Sequence, residues 1–171
     1  MRWGITGTPG TGKTSVAERL SLDQPVISLA SILADDRFVA DEDIDRGTNI
    51  VEMEALVEWV DSQPTDCVIE SHLSHLLPID RAIVLRCHPD ELTERLEQRY
   101  GTNGSTRIEE NVESERYDVI LIEAIDQVGT DNVFEVDTTD RDVSSVVKDV
   151  ESILAGERAP KSGIVSFLED V

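Results

Sequence analysis

The sequence predicts an α/β protein in which a parallel sheet is covered by helices on both faces. Apolar runs rich in Val and Ile alternate with segments of helical periodicity, and a glycine-rich loop directly follows the first apolar run. Buried parallel strands are continuous apolar runs because helices cover both faces of the sheet. At 171 residues the chain fits one domain, so we expect a single domain over residues 1–171.

Five segments are predicted to be strands. Each is short, apolar and bounded by polar or turn residues. They are residues 3–6 (WGIT), 26–29 (VISL), 67–70 (CVIE), 82–87 (AIVLRC) and 132–137 (NVFEVD). Cys67 and Cys87 fall inside two of these runs, so we expect buried free thiols and a reducing compartment rather than a disulfide.

Three helices are predicted from periodicity and from start signals. Residues 51–62 place apolar side chains three, four and seven positions apart. Pro89 is followed by two acidic residues, which suits the first turn of a helix because of its dipole. An apolar stripe runs from Val143 to Leu154 behind a cluster of Asp and Thr that can cap a helix.

Two segments interrupt the alternation and are expected to be irregular. Residues 34–49 are long and acidic, and residues 100–107 are rich in Gly, Ser and Thr. Such loops cover substrates in many enzymes, and equally often they are plain solvated connections. The tail, residues 156–171, reads as a linker followed by a short apolar segment that docks on the domain.

The chain is strongly acidic. Fifteen Lys and Arg residues against 36 Asp and Glu residues give a net charge of -21, which repels phosphates and argues against general nucleic-acid binding, DNA included. An apolar content of 39% argues against disorder. We therefore expect a folded protein adapted to concentrated salt, where the Debye length falls to about 3 Å at 1 M, and we expect folding to be lost as salt is lowered.

The sequence contains no recognisable membrane or secretion signal. No apolar run approaches the roughly 20 residues of a membrane span, and the opening MRWGITG lacks a charged segment followed by an apolar one. We expect a soluble cytoplasmic protein without a membrane partner.

The glycine-rich loop carries the clearest chemical signal. Gly7, Gly12, Lys13 and Thr14 satisfy the pattern G-x-x-x-x-G-K-[ST] between a predicted strand and a predicted helix. In this pattern backbone N–H groups surround a phosphate, the lysine reaches the β and γ oxygens, and the Thr hydroxyl binds Mg²⁺. The sequence thus predicts ATP or GTP binding with Mg²⁺ as cofactor. A GTPase is disfavoured because no guanine-reading Asn-Lys-x-Asp follows.

Several motifs together resemble the nucleoside monophosphate kinases, and most closely the adenylate kinase isoenzyme six family, whose members take part in late small-subunit ribosome assembly. They are GTPGTGKTS, VIESH, VLRC, ERLEQRY and EEN, and the resemblance covers about residues 1–155. It implies a P-loop NTPase three-layer sandwich with a five-stranded parallel sheet in the order 2-3-1-4-5. It also implies a segment of about residues 28–51 that binds the nucleoside monophosphate (NMP), and a short lid at about residues 98–108.

The resemblance also assigns residues to the ATP side of the site. Arg99 aligns with a lid arginine that contacts ATP in the family. Arg95 either shares that role or forms an ordinary ion pair with Glu91, one helical turn away. Arg107 either closes over the phosphates or is a solvated loop charge. The family's ATP-binding loop is matched by Gly10, Gly12, Lys13, Thr14 and Ser15.

Glu70 and His72 are the remaining candidates for catalytic residues, with Lys13 and Arg99. Glu70 ends a strand beside the loop strand, so its carboxylate is expected at the sheet edge where ligands bind, close enough to hold Mg²⁺ together with Thr14. The family usually has Asp at this position and a His two residues on, which His72 matches. His72 is expected to orient water or the transferred phosphoryl group, whereas His75 and His88 are expected to be structural.

The acceptor side departs from the pattern. Ordinary adenylate kinases have Asp-Gly-Phe-Pro-Arg after the third strand, where this chain has ESHLS. Relatives of the isoenzyme six type also tend to have an Arg where Ala34 stands here. Arg37 or Arg46 is a candidate replacement within an otherwise acidic segment.

Three hypotheses of function follow. The first is an NMP kinase that converts ATP and AMP to two ADP, with intrinsic ATPase activity. The second is an ATP-switched ribosome-assembly factor with little kinase activity, whose acidic surface mimics RNA towards a basic small-subunit ribosomal protein. The third is a small-metabolite kinase of the shikimate or gluconate type, which shares the fold.

Overall fold

The computed structural model describes residues 1–43 and 48–168, and of residues 41–43, 48, 49, 102 and 103 it describes only the backbone. Seven strands occur in this part of the chain. They are β1 (Arg2–Thr6), β2 (Val26–Ser28), β3 (Val39–Asp43), β4 (Thr48–Val51), β5 (Cys67–Glu70), β6 (Arg81–Arg86) and β7 (Val133–Asp137). Five of them form the main sheet in the order β2-β5-β1-β6-β7, and every neighbouring pair is parallel.

The order of strands in the main sheet reflects an unpredicted hairpin. Counted along the chain, the order is 2-5-1-6-7 rather than 2-3-1-4-5, because β3 and β4 form a separate antiparallel pair between β2 and β5. When only the five sheet strands are numbered, the two orders coincide. The expectation that residues 34–49 are irregular was therefore wrong in part: acidic residues in β3 and a register shift between Val39 and Asp41 obscure the alternation that marks a strand.

Seven α-helices connect the strands in the same part of the chain. They are α1 (Lys13–Ala17), α2 (Leu29–Ile32), α3 (Met53–Asp61), α4 (Pro89–Tyr100), α5 (Ser105–Arg116), α6 (Val119–Val128) and α7 (Val143–Leu154). The three predicted helices are confirmed as α3, α4 and α7. Pro89 lies in the first turn of α4, and Asp142 caps α7 by accepting a hydrogen bond from the backbone N–H of Ser145.

The segment predicted to be a loop at residues 100–107 is mostly helical. A short 3₁₀ turn, Gly101–Gly104, joins α4 to α5, which begins at Ser105. The glycines and hydroxyl residues suggested a loop, but burial of Ile108 beside Leu92 and Leu96 packs the two helices together. Tertiary packing therefore overrides the weak local propensity, and α4 and α5 form a helical hairpin above the sheet edge.

The main sheet and the helices on its two faces form three layers, because successive side chains of each strand point to opposite faces of the sheet. Val68 and Ile83 face α1 and α7, whereas Cys67, Ile69 and Ala82 face α3 and α6. Cys67 and Cys87 are buried free thiols, as predicted, and burial raises the pKa of Cys87 to about 12. Within residues 1–43 and 48–168, no helix combines the length and apolar character needed to cross a membrane.

The C-terminal tail docks on the domain, as predicted. Lys161 pairs in parallel with Phe134 of the edge strand β7, and the backbone N–H of Ile164 donates to Glu135 Oε2 at 2.7 Å. Phe167 is buried against the His88 ring and the Arg86 guanidinium. The tail thus covers an edge strand that would otherwise be open to pairing with other chains.

Candidate active site

A cleft of about 920 Å³ opens at the carboxyl edge of the main sheet. The glycine-rich loop between β1 and α1 forms its floor, Glu70 and His72 follow β5 at one side, and Arg99 and Arg107 project from the α4–α5 hairpin. In open parallel sheets, ligands bind at the carboxyl ends of the strands. The structure therefore brings together the loop and the predicted catalytic residues in one cavity.

The loop backbone requires glycine where the motif predicts it. Gly7 has a φ of 134°, and a Cβ there would lie 2.3 Å from the carbonyl oxygen of Leu85. Gly10 has a φ of 97°, and a Cβ there would meet Leu92 Cδ1 at 2.8 Å. Any larger residue would strain or displace the loop, so the glycines allow the backbone to curve tightly against β6 and α4.

Lys13 lies under the loop with its side chain buried. Its Nζ donates to the carbonyl oxygen of Gly7 at 2.7 Å and to that of Thr8 at 2.9 Å. Burial lowers the pKa of Lys13 to about 8, while the carboxylates of Glu70 and Glu115 oppose the shift. Lys13 therefore remains mostly protonated at neutral pH, and its positive charge faces the space where phosphate oxygens would lie.

Glu70 is buried at the end of β5 and accepts hydrogen bonds from two hydroxyl groups. Thr14 Oγ1 donates to Glu70 Oε1 at 3.2 Å, and Ser28 Oγ donates to Oε2 at 2.6 Å. The sequence predicted that Thr14 and Glu70 would serve the same Mg²⁺ ion, but it did not predict the contact of Glu70 with Ser28. The contact could have been inferred from the strand order, because the pairing of β2 with β5 places Ser28 opposite Glu70.

The oxygen atoms of Thr14 and Glu70 fit Mg²⁺. Mg²⁺ prefers oxygen ligands, keeps several waters and is commonly held by one or two side chains together with substrate phosphates. Among the described residues there is no group of three or more His, Cys, Asp or Glu side chains that could form a metal cage. A site completed by nucleotide phosphates is therefore the mode of Mg²⁺ binding that this donor set allows.

His72 lines the cleft, whereas His75 is buried outside it. Desolvation, followed by the positive charge of Lys13, lowers the pKa of His72 to about 4, so the ring is neutral at neutral pH. His75 Nδ1 lies 2.8 Å from Thr6 Oγ1 and its Nε2 lies 2.9 Å from Glu123. Those contacts tie the turn after β5 to β1 and α6, which is a structural role.

The arginines of α4 and α5 differ in their partners. Arg95 forms the predicted ion pair with Glu91, and it also donates to the carbonyl oxygens of Gly10 at 3.3 Å and Thr138 at 3.2 Å. Arg99 and Arg107 instead lie over the Tyr100 ring, 5.5 Å and 4.5 Å from its centre. Arg95 therefore holds α4 to the loop, and it lines the cleft together with Arg99 and Arg107.

Comparison with known proteins identifies the family. Residues 4–118 match the family described as "AAA domain". A protein of Natronomonas pharaonis described as "Putative adenylate kinase" is 40% identical over 99% of this chain and 99% of its own length. One of Archaeoglobus fulgidus with the same description is 41% identical over 98% of this chain and 92% of its own length. The chain belongs to this adenylate kinase-like family.

A solved structure shares the fold of this adenylate kinase-like chain. The gluconokinase of Sinorhizobium meliloti 1021 aligns with a TM-score of 0.57 over 91% of this chain and 92% of its own, at 18% sequence identity. At that identity the likeness concerns the fold alone. It agrees with the parallel sheet, the covering helices and the loop that follows the first strand.

The wall of the cleft beside α4, at the carboxyl end of β7, was not predicted from the sequence. It follows the carboxyl end of β7 and the start of α7, which is a position where parallel sheets commonly bind ligands. Arg141 there donates to the carbonyl oxygen of Asp137 at 2.9 Å and pairs with Asp149. The residues that line this wall are Thr138, Arg141, Val143 and Val146.

The segment expected to bind the NMP, residues 28–51, contributes no cationic side chain to the cleft from its described part. Ala30 and Leu33 line the cleft there. Arg37 forms an ion pair with Asp35 at 3.0 Å and lies over the Phe38 ring rather than in the cleft. Arg46, the other candidate, lies outside the described residues.

Proposed function

We propose that this protein is a nucleoside monophosphate kinase that transfers the γ-phosphoryl group of ATP to AMP or another NMP. The observation that carries the proposal is the position of Glu70. Its carboxylate bonds Thr14, at the start of the helix after the phosphate loop, and Ser28, the first residue of the proposed NMP-binding segment. One side chain therefore contacts both the donor and the acceptor side of the cleft.

The length of the cleft supports a site for two nucleotides. Its volume of about 920 Å³ lies within the range of about 300–1,000 Å³ for a single drug-sized ligand, so the support comes from the residues that it connects. It extends from Val146, beyond the loop, to Leu33, directly after α2. ATP in the loop with its base towards α7 would leave the α2 side for the acceptor.

The proposed reaction needs positioning and charge rather than a covalent intermediate. A phosphate oxygen of the NMP attacks the γ-phosphorus in line, and the bond from that phosphorus to the bridging oxygen of ADP breaks. Lys13 and Arg99 neutralise charge on the phosphate oxygens. The backbone amides of the loop, including those of Gly10, Gly12 and Ser15, hold the donor. Mg²⁺ bound through Thr14 and Glu70 would add charge neutralisation.

His72 is proposed to orient the reacting groups. Because the lowered pKa keeps the ring neutral, one nitrogen can donate a hydrogen bond and the other can accept one. His72 lines the cleft next to Glu70. The α4–α5 hairpin, with residues 98–108 as a short lid, and the segment 28–51 would close over the nucleotides and exclude water. In this proposal residues 1–171 form one domain, with residues 156–171 as its tail.

A second candidate function is favoured by the placement of Arg37. Because this arginine pairs with Asp35 outside the cleft, the acceptor side lacks a phosphate-binding cation from the described part of residues 28–51. A site of this kind can hydrolyse ATP and act as the switch of a ribosome-assembly factor. The proposed partner is a basic small-subunit ribosomal protein, attracted by the net charge of -21. Membership of the isoenzyme six type, salt adaptation and a cytoplasmic location belong to the same proposal.

The discriminating experiment measures ATP consumption in molar salt, alone and with each NMP in turn. The kinase proposal predicts that AMP stimulates consumption and that ADP is the only product. Indifference to every NMP would contradict it, and stimulation by the ribosomal protein would then favour the alternative. Shikimate and gluconate in the same panel test for a small-metabolite kinase.

A further inference from the structure

A buried carboxylate connects the phosphate loop to the lid hairpin. Glu115, in the last turn of α5, is 2% exposed and accepts three hydrogen bonds. The donors are Thr8 Oγ1 at 2.5 Å, Arg86 Nε at 2.8 Å and the backbone N–H of Cys87 at 3.0 Å. One side chain of α5 is thus bonded both to the loop and to β6.

Thr8 links Glu115 to Lys13 through hydrogen bonds. The side chain of Thr8 bonds Glu115, and its backbone carbonyl accepts hydrogen bonds from Lys13 Nζ and Thr11 Oγ1, each at 2.9 Å. Thr8 is 1% exposed, so water cannot readily replace a lost partner. The loop turn that carries the lysine is therefore anchored from behind by the carboxylate of α5.

The same helix presents residues to the cleft. Arg107, Asn111 and Ser114 lie along one side of α5 at helical spacing, and all three line the cavity. Glu115 follows Ser114 directly. The bond between Glu115 and Thr8 therefore fixes where these three side chains stand relative to the phosphate loop.

The ion pair of Glu115 with Arg86 is separable from its bond to Thr8. Arg86 has two further buried or half-buried carboxylate partners, Glu135 at 2.6 Å and Asp118. Cutting the bond to Thr8 leaves every ion pair of this cluster in place. A purely structural role for Glu115 would then predict little change at the site.

We propose that Glu115 is a positioning residue: through the Thr8 hydroxyl it holds the phosphate loop in its binding conformation and sets the lid helix α5 against it. The inference rests on the proposed binding of ATP at the loop, but not on the identity of the acceptor. When this bond is removed, the loop samples other conformations, and ATP binding must then bear the cost of ordering it.

The test measures the dissociation constant of Mg-ATP by calorimetry in molar salt. Thr8→Val keeps the shape of the side chain and removes the hydroxyl, so we expect the dissociation constant to rise about 10-fold or more. Thr8→Ser retains a hydroxyl and should bind within about 3-fold of the unmodified protein. Thr93→Val removes a hydroxyl that bonds the Pro89 carbonyl within α4, and it serves as the matched control.

Two results would overturn the inference. The first is unchanged ATP affinity in Thr8→Val, and the second is an equal loss in Thr8→Ser. Circular dichroism shows whether Thr8→Val folds. If it does not, Thr8→Ala is measured in its place and judged by the same two outcomes. The alanine side chain places no added bulk against the carboxylate of Glu115. Failure of the unmodified protein to bind ATP would contradict the proposed function instead, and indifference to NMPs would leave this test unaffected.

Discussion

The proposed donor and acceptor sides of the cleft are built very differently. On the proposed donor side, Lys13 and Glu70 are buried, and the side chain of each makes two hydrogen bonds to neighbouring elements. On the acceptor side, the described part of residues 28–51 contributes Ala30 and Leu33 to the cleft, and Arg37 faces Asp35.

The difference follows from where each side is attached. The loop lies between β1 and α1 and is packed against β6 and α4, so its conformation is fixed by the core. The acceptor segment includes the β3–β4 hairpin, which is a separate two-stranded sheet. In the proposed kinase, holding a triphosphate would thus be a property of the core, whereas acceptor choice would depend on an appended segment and on the proposed lid.

The largest effect is expected from Lys13→Ala. Removing the cation that faces the phosphates should lower kcat/KM for ATP by about 10³-fold, because charge stabilisation at transferring phosphates is worth this much. Steady-state kinetics measures the loss, and circular dichroism verifies the fold. Lys148→Ala, at an exposed position on α7, is the matched control. If the Lys13→Ala protein were active, the loop that contains Lys13 would not be the donor side of the cleft.

Glu70→Gln should produce the next largest loss. The amide keeps the size of the side chain but removes the charge that would hold Mg²⁺ with Thr14, so we expect activity to fall about 100-fold and to need more Mg²⁺. Activity is measured as a function of Mg²⁺ concentration, with Glu54→Gln on the exposed side of α3 as control. If the dependence of activity on Mg²⁺ concentration were unchanged, Glu70 would not be a ligand of the metal.

Arg107 of the proposed lid and Arg37 of the proposed NMP-binding segment should behave differently. Arg107 lines the cleft, where it is expected to close over the phosphates, whereas Arg37 does not line it. Arg107→Ala should therefore lower kcat/KM for the NMP by about 30-fold, the value of one charged hydrogen bond. Arg37→Ala should change it by less than about 2-fold, since exposed ion pairs contribute little. Kinetics with varied NMP at saturating ATP provides the measurement. A large loss in Arg37→Ala with little loss in Arg107→Ala would instead indicate that residues 28–51 supply the cation that binds the acceptor phosphate.

A smaller effect than those of Lys13→Ala, Glu70→Gln and Arg107→Ala is expected from raising the pH by one unit above about 8. Phosphate binding favours protonated Lys13, whose pKa in the free protein is lowered to about 8. ATP affinity should therefore be constant below about pH 8 and fall by up to about 10-fold for each further pH unit. His72, with a pKa of about 4, stays neutral throughout this range. Calorimetric titrations at rising pH measure the effect, and a flat profile would mean that Lys13 does not carry the binding charge.

The donor side was largely predictable from the sequence because its constraints are local. Gly7 and Gly12 are required by the backbone path of the loop, and Glu70 stands at the end of an apolar run that could only be a buried strand. The helices α3, α4 and α7 were predicted because their apolar stripes or start signals are contained within single segments.

The missed features depend on contacts between residues far apart in the chain. The bond of Glu115 to Thr8 joins positions 107 residues apart, and no local pattern marks it. The contact of Ser28 with Glu70 could be inferred only from the strand order, which pairs β2 with β5. The β3–β4 hairpin and the start of α5 were assigned to loops, because their acidic or small residues have low intrinsic propensity and tertiary contacts decide their structure.

The most direct test of the central claim follows the phosphoryl group itself. ATP labelled in its γ-phosphate is incubated with unlabelled AMP in molar salt, and the products are separated. A nucleoside monophosphate kinase places the label in ADP formed from AMP, with little inorganic phosphate. Label that appears only as inorganic phosphate, with AMP and with every other NMP, would contradict the account and identify water as the acceptor.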